Sequence, residues 1–218
     1  MFAQDQAART PEKPHAAEEG CARSRLLIDA ASELLEQGGI EGLTVRAVLK
    51  RTGLARRAFY ERFVGKDDLV VAVFEETLRE AARRYREEAQ QLATPLDKLR
   101  MVVVGLVRGA FDNEHGIGQQ RVFAMVHEHL RLAQSRPGEL QAALRPLLEF
   151  IAEQVTEGIS TGQLRECDPD LQATLIYNLV ATTLHSELMM KQPAGYSRER
   201  SDQLVGEIWE FCRRAIIA

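Results

Sequence analysis

The sequence is poor in cysteine, with three in 218 residues, at Cys21, Cys167 and Cys212. They lie far apart, form no Cys-x-x-Cys pair and are odd in number, which argues against a disulfide framework or a cysteine-based zinc site. This usage is typical of a reducing interior. We expect the three to be packing or surface residues, with a redox switch at one of them as the alternative.

Long hydrophobic runs are also missing. No stretch reaches the roughly 18 consecutive apolar residues of a membrane-spanning helix, and residues 1–20 lack the apolar core of a secretion signal. We therefore expect a cytoplasmic protein without a membrane partner. Residues 1–22, which are rich in Ala, Gln, Glu and Pro, are expected to form a disordered arm.

The chain as a whole has no excess of positive charge, because its net charge is -4. Its segments differ, however: residues 21–66 carry nine basic and five acidic side chains, whereas residues 67–218 carry 17 and 23. A total hides such asymmetry between domains. Positive charge is concentrated in one small N-terminal module, which is where a polyanion would bind.

Helical spacing of apolar residues, interrupted by glycine and proline, continues to the end of the chain, and no long stretch alternates with a period of two. The sequence predicts an all-α fold in which residues 23–68 form a small domain and residues 69–218 a larger helical bundle. The nine expected helices cover about 22–37, 45–51, 56–63, 66–91, 95–111, 119–133, 138–161, 169–190 and 201–216.

Two of these helices, at 45–51 and 56–63, are short and joined by a turn that contains Gly53. Such a turn needs a positive φ, which favours glycine, and Thr44 is expected to cap the helix before it. Because two short helices cannot bury a core alone, the first helix must complete it, as in a helix-turn-helix domain. The expected core residues are Leu26, Ala30, Leu34, Val45, Val48, Leu49, Leu54, Phe59 and Phe63.

The third helix begins Arg56-Arg57-Ala58-Phe59-Tyr60 and turns its two phenylalanines inward. Arg56, Arg57 and Tyr60 then face outward, where a helix inserted in a DNA groove meets the bases. An isolated arginine is by default a solvated surface residue, but the grouping on one module favours DNA contact. We assign base contacts to Arg56 and Arg57, phosphate contacts to Thr44, Tyr60, Lys66 and Arg25, and either kind to Arg46.

The stretch Leu43-Thr44-Val45-Arg46, followed by Thr52-Gly53-Leu54, Ala58-Phe59-Tyr60, Phe63, Lys66 and Leu69, resembles the N-terminal domain of the TetR family of bacterial transcriptional regulators. The resemblance covers about residues 23–75 and implies a sequence-specific DNA-binding regulator. It also implies a C-terminal domain that forms a homodimer and often encloses a ligand cavity. The family usually has serine or threonine in place of Ala55, so the third helix is expected to lack a side-chain N-cap.

The helix at 169–190 is apolar nearly all the way round, which indicates that it is covered on more than one side. Together with the last helix it is expected to form a four-helix interface between two copies of the chain, the alternative being that both helices lie inside one monomer. Two-fold symmetry predicts a palindromic operator. The expected interface residues are Leu171, Leu175, Leu179, Leu184, Leu188, Leu204, Ile208, Trp209 and Cys212.

A ligand cavity would be lined by polar or adaptable side chains on apolar helical faces. Asn178, Thr182 and His185 fall close to one helical face, although a neighbouring backbone group can satisfy such side chains equally well. His127 and His129 point about 200° apart, and no metal site or other cofactor is expected. The candidate ligand-binding residues are Met101, Val104, Arg108, Phe123, His127, Tyr177, Asn178, Thr182 and His185.

Three functions compete at this point. The first is a transcriptional repressor released from its operator by a small, apolar molecule bound in the C-terminal domain. The second is a DNA-binding regulator of the same fold that acts without a ligand, as an activator or architectural factor. The third is an α-helical enzyme that uses His127 and His185, but the sequence has no nucleophile–base pattern, phosphate loop or metal motif, and we expect no enzyme.

Overall fold

The computed structural model describes residues 14–111, 119–190 and 198–217, and these residues form nine helices with no strand. The expected all-α fold is confirmed. The helices are α1 (Pro14–Gly42), α2 (Val45–Thr52), α3 (Arg56–Tyr60), α4 (Lys66–Ala89), α5 (Pro95–Phe111), α6 (Gln119–Ser135), α7 (Pro137–Ser160), α8 (Pro169–Met190) and α9 (Arg198–Ile216). None of these helices combines the length and the hydropathy that crossing a bilayer requires.

The first helix begins earlier than expected, at Pro14. The prediction of a disordered arm is therefore wrong for residues 14–22, and residues 1–13 lie outside the described residues. The expected stop at the glycine pair is visible as a kink: Gly39 has φ 61° and ψ -159°, and a short helical segment follows to Gly42. Glycine adopts this positive φ readily, whereas a residue with a Cβ atom does so only at a steric cost.

The N-terminal module has the expected helix-turn-helix order. Gly53 adopts φ 68° and ends α2, and its N–H donates to the Leu49 carbonyl at 3.0 Å. Helix α3 stops at Tyr60 rather than Phe63, yet the Phe63 N–H still donates to the Phe59 carbonyl at 2.9 Å. Both phenylalanine rings are buried, so they anchor the short helix to the core, as the sequence predicts.

One core assignment in this module is wrong. Leu26 is exposed, whereas the next residue, Leu27, is completely buried. Neighbouring residues on a helix differ by about 100° in direction, and the sequence alone did not decide which of the two leucines lies under α2 and α4.

The larger bundle is built around α7, which packs against α4, α5 and α8, while α9 packs against α5. Its centre holds fully buried aliphatic side chains, among them Leu99, Val103, Leu147, Ile151 and Val155. Burial of such side chains is the dominant stabilising contribution in a bundle of this kind. Helix α8 packs against α7 on one side and keeps another side exposed.

Helix α6 connects the two parts of the molecule, because it packs against α1 on one side and against α7 and α8 on the other. At its end, Arg131 binds Asp67 at 3.2 Å, and just beyond it Arg136 binds Asp68 at 2.6 Å. The Val64 amide and the Arg136 guanidinium hold the pKa of Asp68 below its usual value. The N-terminus of α4 is thereby fastened to the bundle.

Candidate nucleic-acid interface and core cavity

The outer side of α3 carries the side chains expected to read DNA. The Arg56 guanidinium lies 5.4 Å from the centre of the Tyr60 ring, and its Nη2 is 3.4 Å from the Tyr60 hydroxyl. Arg57 is 90% exposed and its Nε contacts the Glu61 carboxylate at 2.9 Å. Exposed ion pairs of this type contribute little to stability, so both arginines are available to a nucleic acid.

Two of the expected phosphate-binding side chains also hold the module together. The Thr44 hydroxyl accepts the Ala47 N–H at 3.1 Å and so caps α2, as expected. The Lys66 ammonium donates to the Ile40 carbonyl at 2.8 Å, near the end of α1, and is partly buried. Arg25 and Arg46 are exposed. Ala55 precedes α3 without a side-chain cap, also as expected.

A cavity of about 130 Å³ lies inside the larger bundle. Helices α4, α5, α6 and α8 contribute its walls, and apolar side chains cover most of the surface. The lining residues are Phe74, Thr77, Leu78, Leu106, Met125, Val126, His129, Tyr177, Val180, Ala181 and Leu184. Apolar concave sites with a few polar groups are the usual form of a small-molecule site.

The polar groups of this cavity are His129 and Tyr177, whose Nδ1 and hydroxyl oxygen are 3.3 Å apart. Burial lowers the pKa of His129, and the charge of His185 lowers it further, so the imidazole is neutral at pH 7. Burial also raises the pKa of Tyr177. The pair therefore offers neutral hydrogen-bonding groups within an otherwise apolar space.

Residues 27–73, which span the three-helix module and the start of α4, match the family model described as bacterial regulatory proteins of the tetR family. The similarity to known regulators extends over most of the chain. The fatty acid metabolism regulator protein of Bacillus subtilis is 25% identical over 170 residues, which cover 76% of this chain and 84% of the relative. Residues 27–73 therefore form a DNA-binding domain of the tetR type.

Two further comparisons extend the TetR-family match beyond the helix-turn-helix module. The transcriptional repressor KstR2 of Mycobacterium tuberculosis is 22% identical, over 78% of this chain and 81% of its own. The crystal structure of the regulator FadR from Bacillus subtilis in complex with stearoyl-CoA has a TM-score of 0.67 and 23% identity, and the match covers 86% and 96% of the two chains. These relatives are transcriptional regulators, and the enzyme hypothesis finds no support among them.

The cavity is not lined by the residues that the sequence suggested, with the exception of Tyr177. His127 lies on the exposed side of α6, and it is His129, two residues on, that faces the cavity. Asn178 and Thr182 are exposed on α8. Phe123 and His185 are partly buried without lining the cavity. Selecting polar residues from the sequence favoured the outer faces of the helices, because polar side chains on amphipathic helices mostly face water.

The remaining three candidates lie elsewhere. Met101, Val104 and Arg108 line a more open groove between the end of α4 and α5. Arg108 binds Asp202 of α9 at 2.9 Å. These residues are therefore separate from the cavity between α4, α5, α6 and α8, to which α5 contributes Leu106.

The expected dimer residues divide into two groups. Leu171 and Leu175 are 56% and 54% exposed, and Leu179 and Trp209 are half-buried. Leu184, Leu188, Leu204, Ile208 and Cys212 are buried in their own chain, so their assignment to an interface needs correction. Met189 and Phe211, which are not among the expected interface residues, are exposed as well. Burial also raises the pKa of the Cys212 thiol to about 11.

Proposed function

We propose that this regulator is a repressor that binds a palindromic operator as a homodimer and leaves it when a compact, uncharged and mainly apolar molecule fills the cavity between α4, α5, α6 and α8. The observation that carries the proposal is the combination of an exposed basic α3 with an apolar cavity among four helices of the same chain. Ligand control is favoured over a regulator without a ligand because the bundle's own side chains do not fill this space.

Operator binding is supported by the exposed arginines of α3. Arg57 extends fully into solvent, and Arg56 lies against Tyr60, which limits the directions in which its guanidinium can point. Arginine binds guanine through two hydrogen bonds in the major groove. Arg25, Arg46 and Thr44 are assigned to DNA contacts as well, and Lys66 is assigned to phosphate through the donors that Ile40 leaves unused.

Pairing of two copies is supported by a stripe along the outer side of α8. Exposed residues recur every three or four positions, at Leu171, Leu175, Asn178, Thr182, Ser186 and Met189. This spacing marks one continuous helical face. Exposed leucine and methionine in such a stripe, together with the 66% exposed Phe211 on α9, are typical of a surface that a partner covers.

The lining of the cavity defines the chemistry of the proposed ligand. None of the described side chains that line it is a lysine, arginine, aspartate or glutamate, so a charged group would be desolvated without a partner. The Thr77 hydroxyl is already engaged, since it donates to the Val73 carbonyl and accepts from Arg121. His129 and Tyr177 remain to orient one hydroxyl or carbonyl group of an otherwise apolar molecule.

Size separates two ligand classes. A dry cavity of about 150 Å³ can hold benzene, and pockets for larger ligands measure about 300–1,000 Å³, so 130 Å³ suits a single-ring molecule. The second candidate is a fatty acyl thioester, because a similar regulator is a fatty acid metabolism regulator and a similar structure holds stearoyl-CoA. An acyl chain of that length would require the four helices to separate.

The test is binding of the purified full chain to DNA upstream of its own gene, followed by footprinting and titration with three matched probes. These are p-cresol, which has one ring and one hydroxyl; toluene, which lacks the hydroxyl; and p-toluate, which carries a charge. Stearoyl-CoA forms a separate arm. We expect protection of two symmetric half-sites one DNA turn apart and release by p-cresol at a lower concentration than by toluene, with no release by p-toluate.

Protection of a single asymmetric site would contradict the dimeric mode, and failure to bind any upstream fragment would contradict operator binding. Release by stearoyl-CoA, with no response to p-cresol, would select the second ligand class. The variant Tyr177→Phe, which keeps the ring and removes the hydroxyl, is expected to reduce the advantage of p-cresol over toluene. An unchanged advantage in Tyr177→Phe and in His129→Leu would contradict the assignment of the polar pair.

A further inference from the structure

Arg121 in the first turn of α6 joins the cavity wall to the DNA-binding module. Its Nη2 donates to the Thr77 hydroxyl of α4 at 2.6 Å, and its Nη1 donates to the Glu36 carboxylate of α1 at 3.2 Å. The residue is buried, with 9% of its surface exposed. One guanidinium therefore spans three helices.

The contact on the bundle side belongs to the cavity itself, because Thr77 is one of its lining residues. Met125 and His129 follow Arg121 by four and eight positions on α6, and both line the cavity. Residues at this spacing share one side of a helix. A molecule that pushes against Met125 and His129 therefore acts on the helix that carries Arg121.

The contact on the other side leads to the DNA-reading helices. Glu36 lies on α1 between Glu33 and Gln37, and these two hold the Arg51 guanidinium of α2 at 2.6 Å and 2.7 Å. Helix α1 is thus tied to α2 within one turn of the Arg121 contact. Displacement of α1 at Glu36 would be passed to α2, and through the Gly53 turn to α3.

The burial of Arg121 makes this connection stiff. Its Nε is buried and has no hydrogen-bond partner among the described residues. The guanidinium therefore depends on Thr77 and Glu36 for its hydrogen bonds. Leaving a buried charged donor without acceptors is strongly unfavourable. Helices α1, α4 and α6 can therefore separate at this point only by breaking contacts that Arg121 requires.

We propose that Arg121 is the positioning residue through which occupancy of the cavity alters the DNA-reading module. This inference rests on the proposed ligand control and adds the route: from the cavity wall at Thr77, through Arg121, to Glu36 on α1. Arg121 contacts neither the ligand nor DNA in this mechanism. It fixes the position of α1 relative to α4 and α6.

The test replaces the unidentified ligand by a side chain that fills the cavity. Ala181→Phe introduces a ring from α8, and Leu106→Trp does so from α5 as an independent second filler. Each is combined with Arg121→Met, Glu36→Met or Thr77→Val, of which the last two each remove the acceptor at one end of the Thr77–Arg121–Glu36 bridge with little change in size. Arg79→Met is the matched control, since Arg79 is exposed and pairs with Glu75 and Glu76 of its own helix.

Affinity for the upstream DNA is measured in all combinations, together with thermal unfolding and amide hydrogen exchange of α1. We expect each filler to weaken DNA binding by roughly tenfold or more in the parent and in Arg79→Met. In the three bridge variants the same filler should weaken binding by less than about threefold. The filler should increase amide hydrogen exchange in α1 near Glu36 only in proteins that keep the contacts of Arg121 with Thr77 and Glu36.

Equal loss of DNA affinity in parent and bridge variants would overturn the inference and leave the proposed ligand control standing. Folded fillers without effect in any background would instead overturn the ligand control, and this inference with it. If Arg121→Met alone lowers the unfolding temperature, Glu36→Met and Thr77→Val, which keep Arg121, decide between the two roles. A purely structural role predicts lower stability with an undiminished filler effect.

Discussion

The N-terminal module and the larger bundle present their functional side chains in opposite directions. In the module, Arg56, Arg57 and Tyr60 point into solvent while Phe59 behind them is completely buried. In the bundle, His129 and Tyr177 point inward to an apolar cavity. Exposed contacts of the first kind add little to folding stability, whereas inward side chains belong to the core. Function and stability can therefore be changed separately in the module but are coupled in the bundle.

The largest effect is expected where function is separable from folding. The double substitution Arg56→Ala and Arg57→Ala should weaken operator binding by about 2–6 kcal/mol, if each arginine makes a bidentate base contact. That corresponds to a loss of about thirtyfold or more. The unfolding temperature should stay the same because both side chains are exposed. DNA titrations and thermal melts measure the two quantities.

Arg145→Ala provides the control for that experiment, since Arg145 is an exposed arginine of α7. It should leave operator affinity unchanged. Retention of affinity and sequence preference by the double variant would refute the role of α3 in base recognition.

A pair of equal substitutions on α8 sharpens the contrast within the bundle. Leu184→Ala removes a buried side chain that lines the cavity and should lower the free energy of unfolding by about 2–5 kcal/mol. Leu175→Ala removes an exposed leucine of the outer stripe and should weaken association of two copies instead. Denaturation and sedimentation at several protein concentrations separate the two contributions. Equal loss of unfolding free energy from both variants would contradict the division of α8 into inner and outer faces.

The cap of α2 should produce a smaller change. Thr44→Ala removes the acceptor for the Ala47 N–H and is expected to cost about 1 kcal/mol of stability, while Thr44→Ser keeps the hydroxyl and should behave like the parent. Chemical denaturation measures the difference. If Ser and Ala variants were equally unstable, the methyl group rather than the cap would be the stabilising element.

The smallest effect concerns pH. The pKa of His129 in the folded chain lies below its ordinary value of 6.5, because the ring is buried and lies near His185. Between the folded pKa and 6.5 the unfolded chain binds more protons, so stability falls as the pH drops below about 6.5. In His129→Gln, which cannot titrate, unfolding free energy should decline less steeply from pH 7 to 5.5. An unchanged slope would show that His129 makes no contribution to this acid sensitivity.

Prediction from sequence succeeded where a short stretch of chain fixes the geometry. Gly53 marked the positive-φ turn, Thr44 marked the cap, and Phe59 and Phe63, four apart, marked the buried side of α3. Each of these depends on backbone preferences and hydrogen bonds within a few residues. The start of α1 was misjudged by eight residues, because the polar composition before Ala22 gave no sign that the helix begins at Pro14.

Prediction failed where the neighbours of a residue come from distant parts of the chain. On α8, Tyr177 was correctly associated with a cavity, but Asn178 and Thr182 belong to the outer stripe. The helix is apolar nearly all round, so no amphipathic pattern distinguishes its inner face from its outer face. His129 had a usable signal: it lies four residues after Met125, on the side of α6 away from His127.

The sequence by itself determined the nine helices of the described residues, the basic helix-turn-helix module and the residues that α3 exposes, because each follows from periodicity, turns and caps encoded locally. Only the tertiary structure decided which faces of α6 and α8 line the cavity, which leucines stay exposed, and that Arg121 meets both Thr77 and Glu36. Those contacts join positions 44 and 85 residues apart in the chain. Side-chain packing among helices establishes such neighbours, and no local pattern encodes them.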